Sequence, residues 1–523
     1  MFNILAADGI ANEGIEQLRK TFAVEVRDKL SHDELLEIIP KFDALIVRSA
    51  SKVTADVLAR ATNLKIIGRA GVGVDNIDVA AATERGIIVI NSPDGNTIAA
   101  TEHTFAMMLA VSRNIPQANQ SMHAGAWDRK KFVGVELRNK VLGVIGLGRI
   151  GAGVAKRAQS FEMNVVAYDP FISEERAKNL GVKLVALDEL FKSADFITVH
   201  MPLTNQTRGM ISLPQMKLMK PTVRLINCAR GGIINEQDLA TALADGLVAG
   251  AAIDVFENEP LAQDSPLRTL PNVILTPHLG ASTVEAQIGV SVDVATGIID
   301  ALNGRPVATA VNLPHIPAHV LEKLAPFIDL ADRLGRTIIG MSKEPISSVV
   351  VRVSGKIADM NSSLISTSVL KGILSAALDN SVNLVNANIL AAERGIHLSE
   401  IKSNVARDFA NLVTVSANGN SVTGTLFGNE GRIVEINGFR VDVDPHARIL
   451  ICPHINRPGV IGLVGTLLAR HSVNISGMNV GKTEIEGTSL MVLTVDNPIP
   501  PHVLTEMKAL EPIFDVTPVA YDV

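Results

Sequence analysis

Three ionisable residues flank short apolar segments in the middle of the chain. Arg230 follows VRLINCA, Glu259 lies in DVFENEP, and His278 follows NVILTP. An imidazole is suited to take a proton from an alcohol, and a neighbouring carboxylate fixes its tautomer and favours its protonated form. A guanidinium binds a carboxylate and polarises a carbonyl. Together these residues predict proton removal from a hydroxy acid during hydride transfer.

Each of the three also has a purely structural interpretation, which the sequence leaves open. His278 is compatible with a satisfied residue at a strand end, and Glu259 with a solvated loop acid. Arg230 would then pair with an acid elsewhere in the chain. Its neighbours Ala229 and Gly231 cannot neutralise it, so we expect the substrate to be its partner.

A glycine motif upstream predicts a dinucleotide site. Gly146, Gly148 and Gly151 form G-x-G-x-x-G between the apolar segment KVLGVI and an alanine-rich helix, and Asp169 ends the next apolar segment. The glycines allow a tight turn and bring a pyrophosphate close to the helix N-terminus. The acid would bind ribose hydroxyls and repel a 2′-phosphate. We therefore expect NAD rather than NADP as the cofactor, and no metal ion.

These residues need elements that bring strand ends together, and the pattern of the chain predicts such elements. Short apolar strands alternate with amphipathic helices through residue 92, and the alternation restarts after a long helix. Such alternation is typical of parallel strands with right-handed crossovers. We predict an α/β fold with two doubly wound, Rossmann-like parallel-sheet domains. Residues 1–98 plus 286–313 form the first, and residues 99–285 form the second.

The remainder of the chain lacks the alternation of short strands and helices. In RIVEINGFRVDV, Asn437-Gly438 lies between two β-prone arms and predicts a hairpin. Residues 448–523 have the pattern strand, helix, strand, strand, helix, strand. We therefore predict two further modules, over residues 314–447 and 448–523.

Composition excludes several classes of protein. The 523 residues carry a net charge of −6, with one Trp and two Tyr, which disfavours a nucleic-acid-binding surface. The N-terminal residues lack the features of a signal peptide, and no apolar run is long enough to span a membrane. Two cysteines, Cys228 and Cys452, exclude a disulfide framework. We expect a cytoplasmic protein that binds neither nucleic acid nor membrane.

The segments GLGRIG, NCARGG, DVFENEP and PHLGAST resemble, in this order, the signatures of the D-2-hydroxyacid dehydrogenase family. The resemblance covers residues 1 to about 310. It implies that Arg230, Glu259 and His278 are the catalytic residues. The positions that it implies for NAD binding are Gly146, Gly148, Arg149, Ile150, Gly151, Asp169, Thr207, Cys228, Ala229, Arg230, Asp254, His278 and Gly280.

The whole chain resembles the long form of this family, which acts on a phosphorylated hydroxy acid. It implies NAD-dependent oxidation of 3-phosphoglycerate to 3-phosphohydroxypyruvate, the first step of L-serine biosynthesis, with reduction of 2-oxoglutarate to 2-hydroxyglutarate as a side activity. A phosphate needs cations, which Arg48 or the run Arg129, Lys130 and Lys131 would supply; the run is equally compatible with a solvated surface. The substrate-binding candidates are Arg48, Ser49, Gly73, Asn96, Arg129, Arg230 and His278. The glycine pair at Gly71 and Gly73 is either a plain turn or a loop that holds an anionic group.

The two C-terminal modules resemble an α+β intervening domain and a βαββαβ ACT domain, a small-ligand regulatory module. By this resemblance His454, Asn456 and Gly459 are candidates for binding L-serine as a feedback effector, although an interface turn without a ligand remains an alternative. Arg432 and Arg440 are candidates for an anion site in the intervening domain. The resemblance also implies a homotetramer.

Two other functions remain open from the sequence. The first is a dehydrogenase for an unphosphorylated D-2-hydroxy acid of the glycerate type. The second is an NAD-sensing protein, such as the corepressors built on this fold. The intact set of Arg230, Glu259 and His278 argues against the second.

Overall fold

A computed structural model describes residues 1–305, 307–376, 378, 382–482 and 487–521. It contains four β-sheets, each with its own helices. Two sheets are entirely parallel, the third is mixed, and the fourth is antiparallel. This confirms the predicted fold class: two Rossmann-like α/β units, an α+β module and an ACT-like module.

The first sheet alternates strands with helices, as predicted. Its elements are β1 (Asn3–Ala7), α1 (Asn12–Arg19), β2 (Ala23–Arg27), α2 (His32–Ile38), β3 (Ala44–Val47), α3 (Ala55–Arg60), β4 (Ile66–Arg69), α4 (Val79–Glu84) and β5 (Ile88–Asn91). The strand order is β2-β1-β3-β4-β5. All four residues of β3 are buried, as expected of a parallel strand covered by helices on both faces.

The second sheet follows two helices, α5 (Thr97–Arg113) and α6 (Ile115–His123). Its elements are β6 (Val141–Ile145), α7 (Arg149–Ser160), β7 (Asn164–Tyr168), α8 (Glu174–Asn179), β8 (Lys183–Leu184), α9 (Leu187–Ser193), β9 (Phe196–Val199), α10 (Leu213–Met216), β10 (Arg224–Asn227), α11 (Glu236–Ala244), β11 (Gly250–Ile253) and β12 (Val273–Leu275). The order β12-β11-β10-β9-β6-β7-β8 reverses direction between β6 and β9. In open parallel sheets, such a switch point marks the crevice where ligands bind.

Helix α12 (Val284–Leu302) follows β12 and packs on the first sheet. Its buried face, including Val290, Val294 and Ile298, shares a core with β1 and β4. Beyond it, Ala310 forms an antiparallel bridge with Ile90. The chain thus returns to its first unit after completing the second.

The third unit combines a mixed sheet with three helices. Its elements are α13 (Ala318–Met341), β13 (Ser348–Gly355), α14 (Ser363–Ser375), α15 (Ala387–Glu393), β14 (His397–Ser403), β15 (Asn411–Ala417), β16 (Asn420–Phe427), β17 (Glu430–Ile436) and β18 (Phe439–Val443). The hairpin predicted at Asn437-Gly438 joins β17 to β18, with φ of +49° and +81° at the two turn residues. This confirms that prediction.

The fourth unit has the predicted βαββαβ order. It comprises β19 (Arg448–Ile455), α16 (Val460–Arg470), β20 (Ile475–Lys482), β21 (Thr488–Val495), α17 (Pro501–Lys508) and β22 (Thr517–Val519), with the strand order β20-β21-β19-β22. Cys228 and Cys452 are free thiols. Within the part of the chain that the structure describes, no helix is long and apolar enough to cross a membrane.

Candidate active site

The cleft between the first and second units is lined by residues at the carboxyl ends of their parallel strands. It comprises two cavities of about 600 and 860 Å³ that share lining residues, among them Arg69, Glu259 and His278. Strands β3 and β4 contribute from the first sheet, and β10, β11 and β12 lead into the loops of the second. This convergence follows from the parallel topology, because strand ends of one polarity lie along one edge of a sheet.

The structure brings His278 and Glu259 together. Nδ1 of His278 lies 2.8 Å from Oε2 of Glu259, and both side chains are about two-fifths exposed, at 43% and 40%. The other carboxylate oxygen accepts the N–H of Phe256 at 3.1 Å. Burial by itself would raise the pKa of Glu259, but the hydrogen bonds from His278 and Phe256 outweigh it and lower the pKa. Glu259 is therefore an ionised partner that holds the imidazole with Nε2 available.

Arg230 reaches the same cleft. The sequence led us to expect that it has no partner within the protein, and this expectation is wrong. Its Nε lies 3.0 Å from Oδ2 of Asp75, which belongs to the first unit, and its Nη1 donates to the carbonyl of Ala229 at 2.7 Å. Asp75 is 155 residues away in the sequence, so no local pattern pointed to it. Arg230 therefore lies in the cleft, where the exposed Asp75 of the first unit orients it.

Gly73 lies against the Arg230 guanidinium. A Cβ at this position would lie 1.7 Å from Nη2 of Arg230. The loop after β4 therefore passes directly over the guanidinium, and a larger side chain at Gly73 would displace Arg230 from its present position.

Sequence reasoning missed Arg69, which lines both cavities at the end of β4. Its Nε is buried and has no hydrogen-bond partner. Burial and the nearby Arg230 guanidinium lower the pKa of Arg69 to about 10. The signal that singled out Arg48, a cation at the end of an apolar strand, applies equally to the segment LKIIGR. A buried donor of this kind suits an anionic ligand.

Other predicted substrate residues divide between the cleft and the surface. Arg48 and Ser49 line the smaller cavity, and their loop is held by Asp8, which accepts the N–H of Arg48 at 2.9 Å. Asn96 lines the larger cavity, with a buried Oδ1 that lacks a hydrogen-bond partner. Arg129 lies on an exposed turn outside both cavities. A single chain therefore does not bring Arg129 to this cleft.

The glycine turn between β6 and α7 is shaped to receive a pyrophosphate. A Cβ on Gly148 would meet no atom within 4 Å, whereas one on Gly151 would lie 2.0 Å from the carbonyl oxygen of Gly146. Helix α7 has no side-chain cap, so its N-terminal amides are available to an anion. Asp169 follows β7 and accepts the N–H of Leu147 at 2.8 Å, which places its carboxylate beside the turn. These features fit NAD.

The remaining predicted cofactor residues lie in three places. Ile150, Cys228, Ala229 and Gly280 line the larger cavity. Arg149 pairs with Asp94 of the first unit. Thr207 is buried and outside the cavity lining, with its hydroxyl donating to the carbonyl of Pro202 at 2.7 Å. We infer that Thr207 shapes the loop whose residues Pro202 and Leu203 line the cavity.

Asp254 is fully buried and is not among the residues that line either cavity. Its carboxylate lies beside His103 and Cys228, and the ligand atoms of the three residues lie within 4.8 Å of one another. Both oxygens of Asp254 already accept hydrogen bonds from backbone N–H groups. Burial and the Asp254 carboxylate raise the pKa of the Cys228 thiol. The group is therefore a hydrogen-bonded network with a protonated thiol rather than a prepared metal site.

Comparisons with known proteins agree with this geometry. Residues 105–280 match the NAD-binding domain of D-isomer-specific 2-hydroxyacid dehydrogenases. Residues 323–437 match the intervening domain of D-3-phosphoglycerate dehydrogenase, and residues 450–515 match an ACT domain of the acetohydroxyacid synthase small-subunit type. The D-3-phosphoglycerate dehydrogenase of Archaeoglobus fulgidus is 48% identical over 98% of this chain and 99% of its own length. The chain belongs to the D-3-phosphoglycerate dehydrogenase family.

Further relatives include one that is similar over the whole chain and one that is similar over its first two units. The D-3-phosphoglycerate dehydrogenase of Bacillus subtilis is 44% identical and covers 99% of both chains. Among solved structures, D-lactate dehydrogenase from Aquifex aeolicus, complexed with NAD and lactic acid, is 29% identical with a TM-score of 0.53. That likeness covers 58% of this chain and 96% of the other. As a member of the D-3-phosphoglycerate dehydrogenase family, the chain is an NAD-dependent oxidoreductase with an ACT regulatory domain.

Proposed function

We propose that this protein oxidises 3-phospho-D-glycerate to 3-phosphohydroxypyruvate in the cleft between its first two units. The observation that carries the proposal is the convergence of Arg48, Arg69 and Arg230 on cavities that also contain the His278 and Glu259 pair. Clustered guanidinium groups repel one another, and the buried Nε of Arg69 lacks a partner. A substrate with a phosphate at one end and a carboxylate at the other would satisfy both conditions.

The side chains divide the chemistry among them. Arg230 binds the substrate carboxylate and polarises the adjoining carbon–oxygen bond. His278 takes the hydroxyl proton at Nε2, because its Nδ1 is engaged by Glu259. The Glu259 carboxylate stabilises the imidazolium that results. NAD held at the glycine turn before α7 would supply the hydride acceptor for this reaction.

Arg48 and Arg69 are the proposed phosphate ligands. Both lie at carboxyl ends of strands in the first sheet, and both line the smaller cavity. This cavity also contains His278, so a phosphate and a hydroxyl of one small substrate can be held together. The assignment distinguishes a phosphorylated substrate from the unphosphorylated hydroxy acids that remain the alternative.

The test is NADH formation from 3-phosphoglycerate and from D-glycerate by the full-length enzyme. We expect turnover of the phosphorylated substrate to be far more efficient and to be abolished in His278→Asn. Arg48→Ala should raise KM for 3-phosphoglycerate while leaving KM for NAD unchanged. Equal kcat/KM for the two substrates would favour the glycerate-type alternative, and undetectable NADH formation would favour an NAD-sensing protein.

We also propose that L-serine binds at the turn between β19 and α16 and inhibits the enzyme. His454 on β19 is buried, and its Nε2 has no hydrogen-bond partner. The turn that follows exposes Asn456 and ends at Gly459, whose φ of +92° directs the chain into α16. An amino acid at this turn would supply the partner that the imidazole lacks.

Serine regulates only if it binds the active and inactive arrangements with different affinities. Titrating serine against the rate of the wild-type enzyme and of Asn456→Ala tests the assignment. We expect the substitution to weaken inhibition without changing the uninhibited rate. Equal inhibition of both proteins would place the effector elsewhere.

The wider role that we propose is the first step of L-serine biosynthesis in the cytoplasm, by a homotetramer. Exposed apolar residues around α6, including Met122, Trp127 and Val133, support self-association. Arg129 lies in the same segment, which would let a neighbouring chain deliver it to the cleft. Light scattering measures the assembly, and NADH consumption with 2-oxoglutarate tests the proposed side reduction to 2-hydroxyglutarate.

Both arginines of the candidate anion site in the intervening domain lie beside acids. Arg440 lies on β18 and pairs with Asp408 at 3.2 Å, and Arg432 lies 3.9 Å from Asp442. An anion at this surface would have to compete with both acids.

A further inference from the structure

The loop that carries His278 is held by one buried carboxylate. Asp254 Oδ1 accepts the N–H of Leu279 at 2.8 Å, and Oδ2 accepts the N–H of Gly280 at 2.9 Å. The Thr276 hydroxyl donates to Oδ1 at 2.6 Å. The N–H of His278 itself donates to the backbone carbonyl of Asp254 at 2.8 Å. Residues on both sides of the imidazole are thus tied to a single side chain.

This loop needs restraint because of its backbone conformation. His278 has a φ of +56°, a left-handed value that non-glycine residues rarely adopt. Such a conformation persists only where the surroundings hold it. The hydrogen bonds to Asp254 are therefore what aims the imidazole at Glu259 and into the cleft.

The Asp254 carboxylate is itself oriented by a residue from outside the second sheet. His103 lies on α5, the long helix that follows the first unit, and its side chain is 18% exposed. Its Nε2 lies 3.1 Å from Asp254 Oδ1 and 3.4 Å from the Thr276 hydroxyl. Among the described residues around the carboxylate, His103 is the partner that can carry a positive charge.

A buried carboxylate is costly unless it is hydrogen-bonded and paired. Burial by itself would raise the pKa of Asp254, but the contacts with His103, Thr276 and Leu279 lower it. The charged form, which can accept all of these N–H and O–H groups at once, is therefore maintained. His103 does not line either cavity in the described part of the chain, so any effect on catalysis must be indirect.

We propose that His103 is a positioning residue for the dehydrogenase reaction: it holds the Asp254 carboxylate in the orientation that locks residues 278–280 and so places the His278 imidazole. The inference rests on the proposed role of His278 as the base. It assigns to α5 a function in the reaction besides its packing beside the second sheet.

Three substitutions in the full-length enzyme separate this role from simple packing. Gln places its amide nitrogen where Nε2 of His103 lies, Asn is too short to reach, and Leu fills the space without a donor. Misplacing a reacting group by about 1 Å can cost about 100-fold in rate. We therefore expect His103→Leu and His103→Asn to lower kcat by at least about 10-fold, with KM for 3-phosphoglycerate within about 2-fold of wild type. His103→Gln should retain kcat within about 3-fold.

Equal kcat in His103→Leu and wild type would overturn the inference, as would equal impairment of the Gln and Leu variants. If the Leu variant does not fold, the comparison of Gln with Asn decides. His278→Asn is the control for the proposed function: activity that survives it removes His278 as the base. Loss of activity in that control together with full activity in all three His103 variants would remove only the positioning role.

Discussion

Cations outnumber acids in the smaller cavity, which is lined by Arg48, Arg69 and Arg268 together with Glu259. Arg69 and Arg230 line the larger cavity, where Asp75 pairs with Arg230 from an exposed position. The Nε of Arg69 is buried and has no hydrogen-bond partner. An anion bound beside these cations would offset the cost of bringing them together.

Replacing Arg69 tests this reasoning. Arg69→Gln should raise KM for 3-phosphoglycerate by roughly 10- to 100-fold, because a charge-assisted hydrogen bond to an ionised group is worth about 1.5–3 kcal/mol. KM for NAD should stay within about 2-fold. Arg27→Gln, an exposed arginine on the edge strand β2 of the same unit, is the matched control. An unchanged KM in Arg69→Gln would exclude this residue from substrate binding.

Glu259→Gln tests the partner of the imidazole. Because the pKa of Glu259 is lowered, its carboxylate is ionised throughout the neutral range. The negative charge is lost only as pH falls through the folded-state pKa. A Gln amide that donates to Nδ1 would force the ring proton onto Nε2, where the base must act. We expect kcat to fall on the order of 100-fold or more at neutral pH. Steady-state kinetics from pH 5 to 9 would show this, and a kcat close to wild type would remove Glu259 from the mechanism.

The turn from β6 into α7 contains two glycines that meet different structural requirements. Gly151 lets the first turn of α7 pass against the carbonyl of Gly146, whereas the space beside Gly148 is open. The first requirement concerns the packing of the protein itself. The open space beside Gly148 leaves room for a ligand. Replacing each glycine by alanine in turn separates the packing requirement from the ligand requirement.

Alanine at these positions should give different results. Gly151→Ala places a Cβ 2.0 Å from a backbone oxygen, so α7 must shift and the melting temperature should fall together with NAD binding. Gly148→Ala should retain the wild-type melting temperature, since its φ of −68° suits any residue, but should bind NAD at least about 10-fold more weakly because of crowding at the pyrophosphate. Calorimetry and NADH fluorescence titration measure these quantities. Unimpaired NAD binding by Gly148→Ala would move the pyrophosphate away from this turn.

Polar contacts join the units in addition to apolar packing, such as the buried core that the third and fourth units share. Asn383 of the third unit donates to the carbonyl of Gly86 in the first at 2.6 Å. Asp515 of the fourth unit lies 2.8 Å from Nζ of Lys343, just after α13, and the Tyr521 hydroxyl lies 2.8 Å from that of Thr337 on α13. If L-serine binds the fourth unit as proposed, these contacts and the shared core are the routes by which it would act on the cleft.

The Asp515 contact has a defined pH dependence. Burial by itself would raise the pKa of Asp515, but hydrogen bonds from Lys343, the Val516 N–H and Lys508 lower it to about 2. Because the folded-state pKa is depressed, the stabilisation is complete above the unfolded-state pKa near 4 and is lost as pH falls toward 2. At neutral pH the ionised Asp515 contributes roughly 1–2 kcal/mol to the free energy of unfolding.

Asp515→Asn should therefore lower the melting temperature by a few degrees at pH 7 and at pH 5, with the difference from wild type narrowing below about pH 4. Glu511→Gln, which removes an exposed acid of the same unit, is the matched control and should have little effect. Scanning calorimetry at several pH values is the measurement. A difference that stays constant down to pH 3 would show that the ion pair is not its source.

The sequence determined much of this protein by itself. The order of strands and helices specified the parallel sheets, because short apolar segments that alternate with amphipathic helices bury both faces of a sheet. The glycine spacing at Gly146, Gly148 and Gly151 and the acid at Asp169 specified the dinucleotide turn. The pairing of Glu259 with His278 was also predictable, since both follow neighbouring strands of one sheet.

Only the tertiary structure decided which residues act on one another across units. Asp75 and Arg230 come from different sheets, and so do the cations Arg69 and Arg230 that meet in the cleft. His103 reaches Asp254 from a helix 151 positions earlier in the chain. Periodicity and spacing report contacts within an element or between adjacent strands. The way in which separate units approach each other depends on the packing of whole surfaces. The pattern of a short sequence segment does not predict that packing.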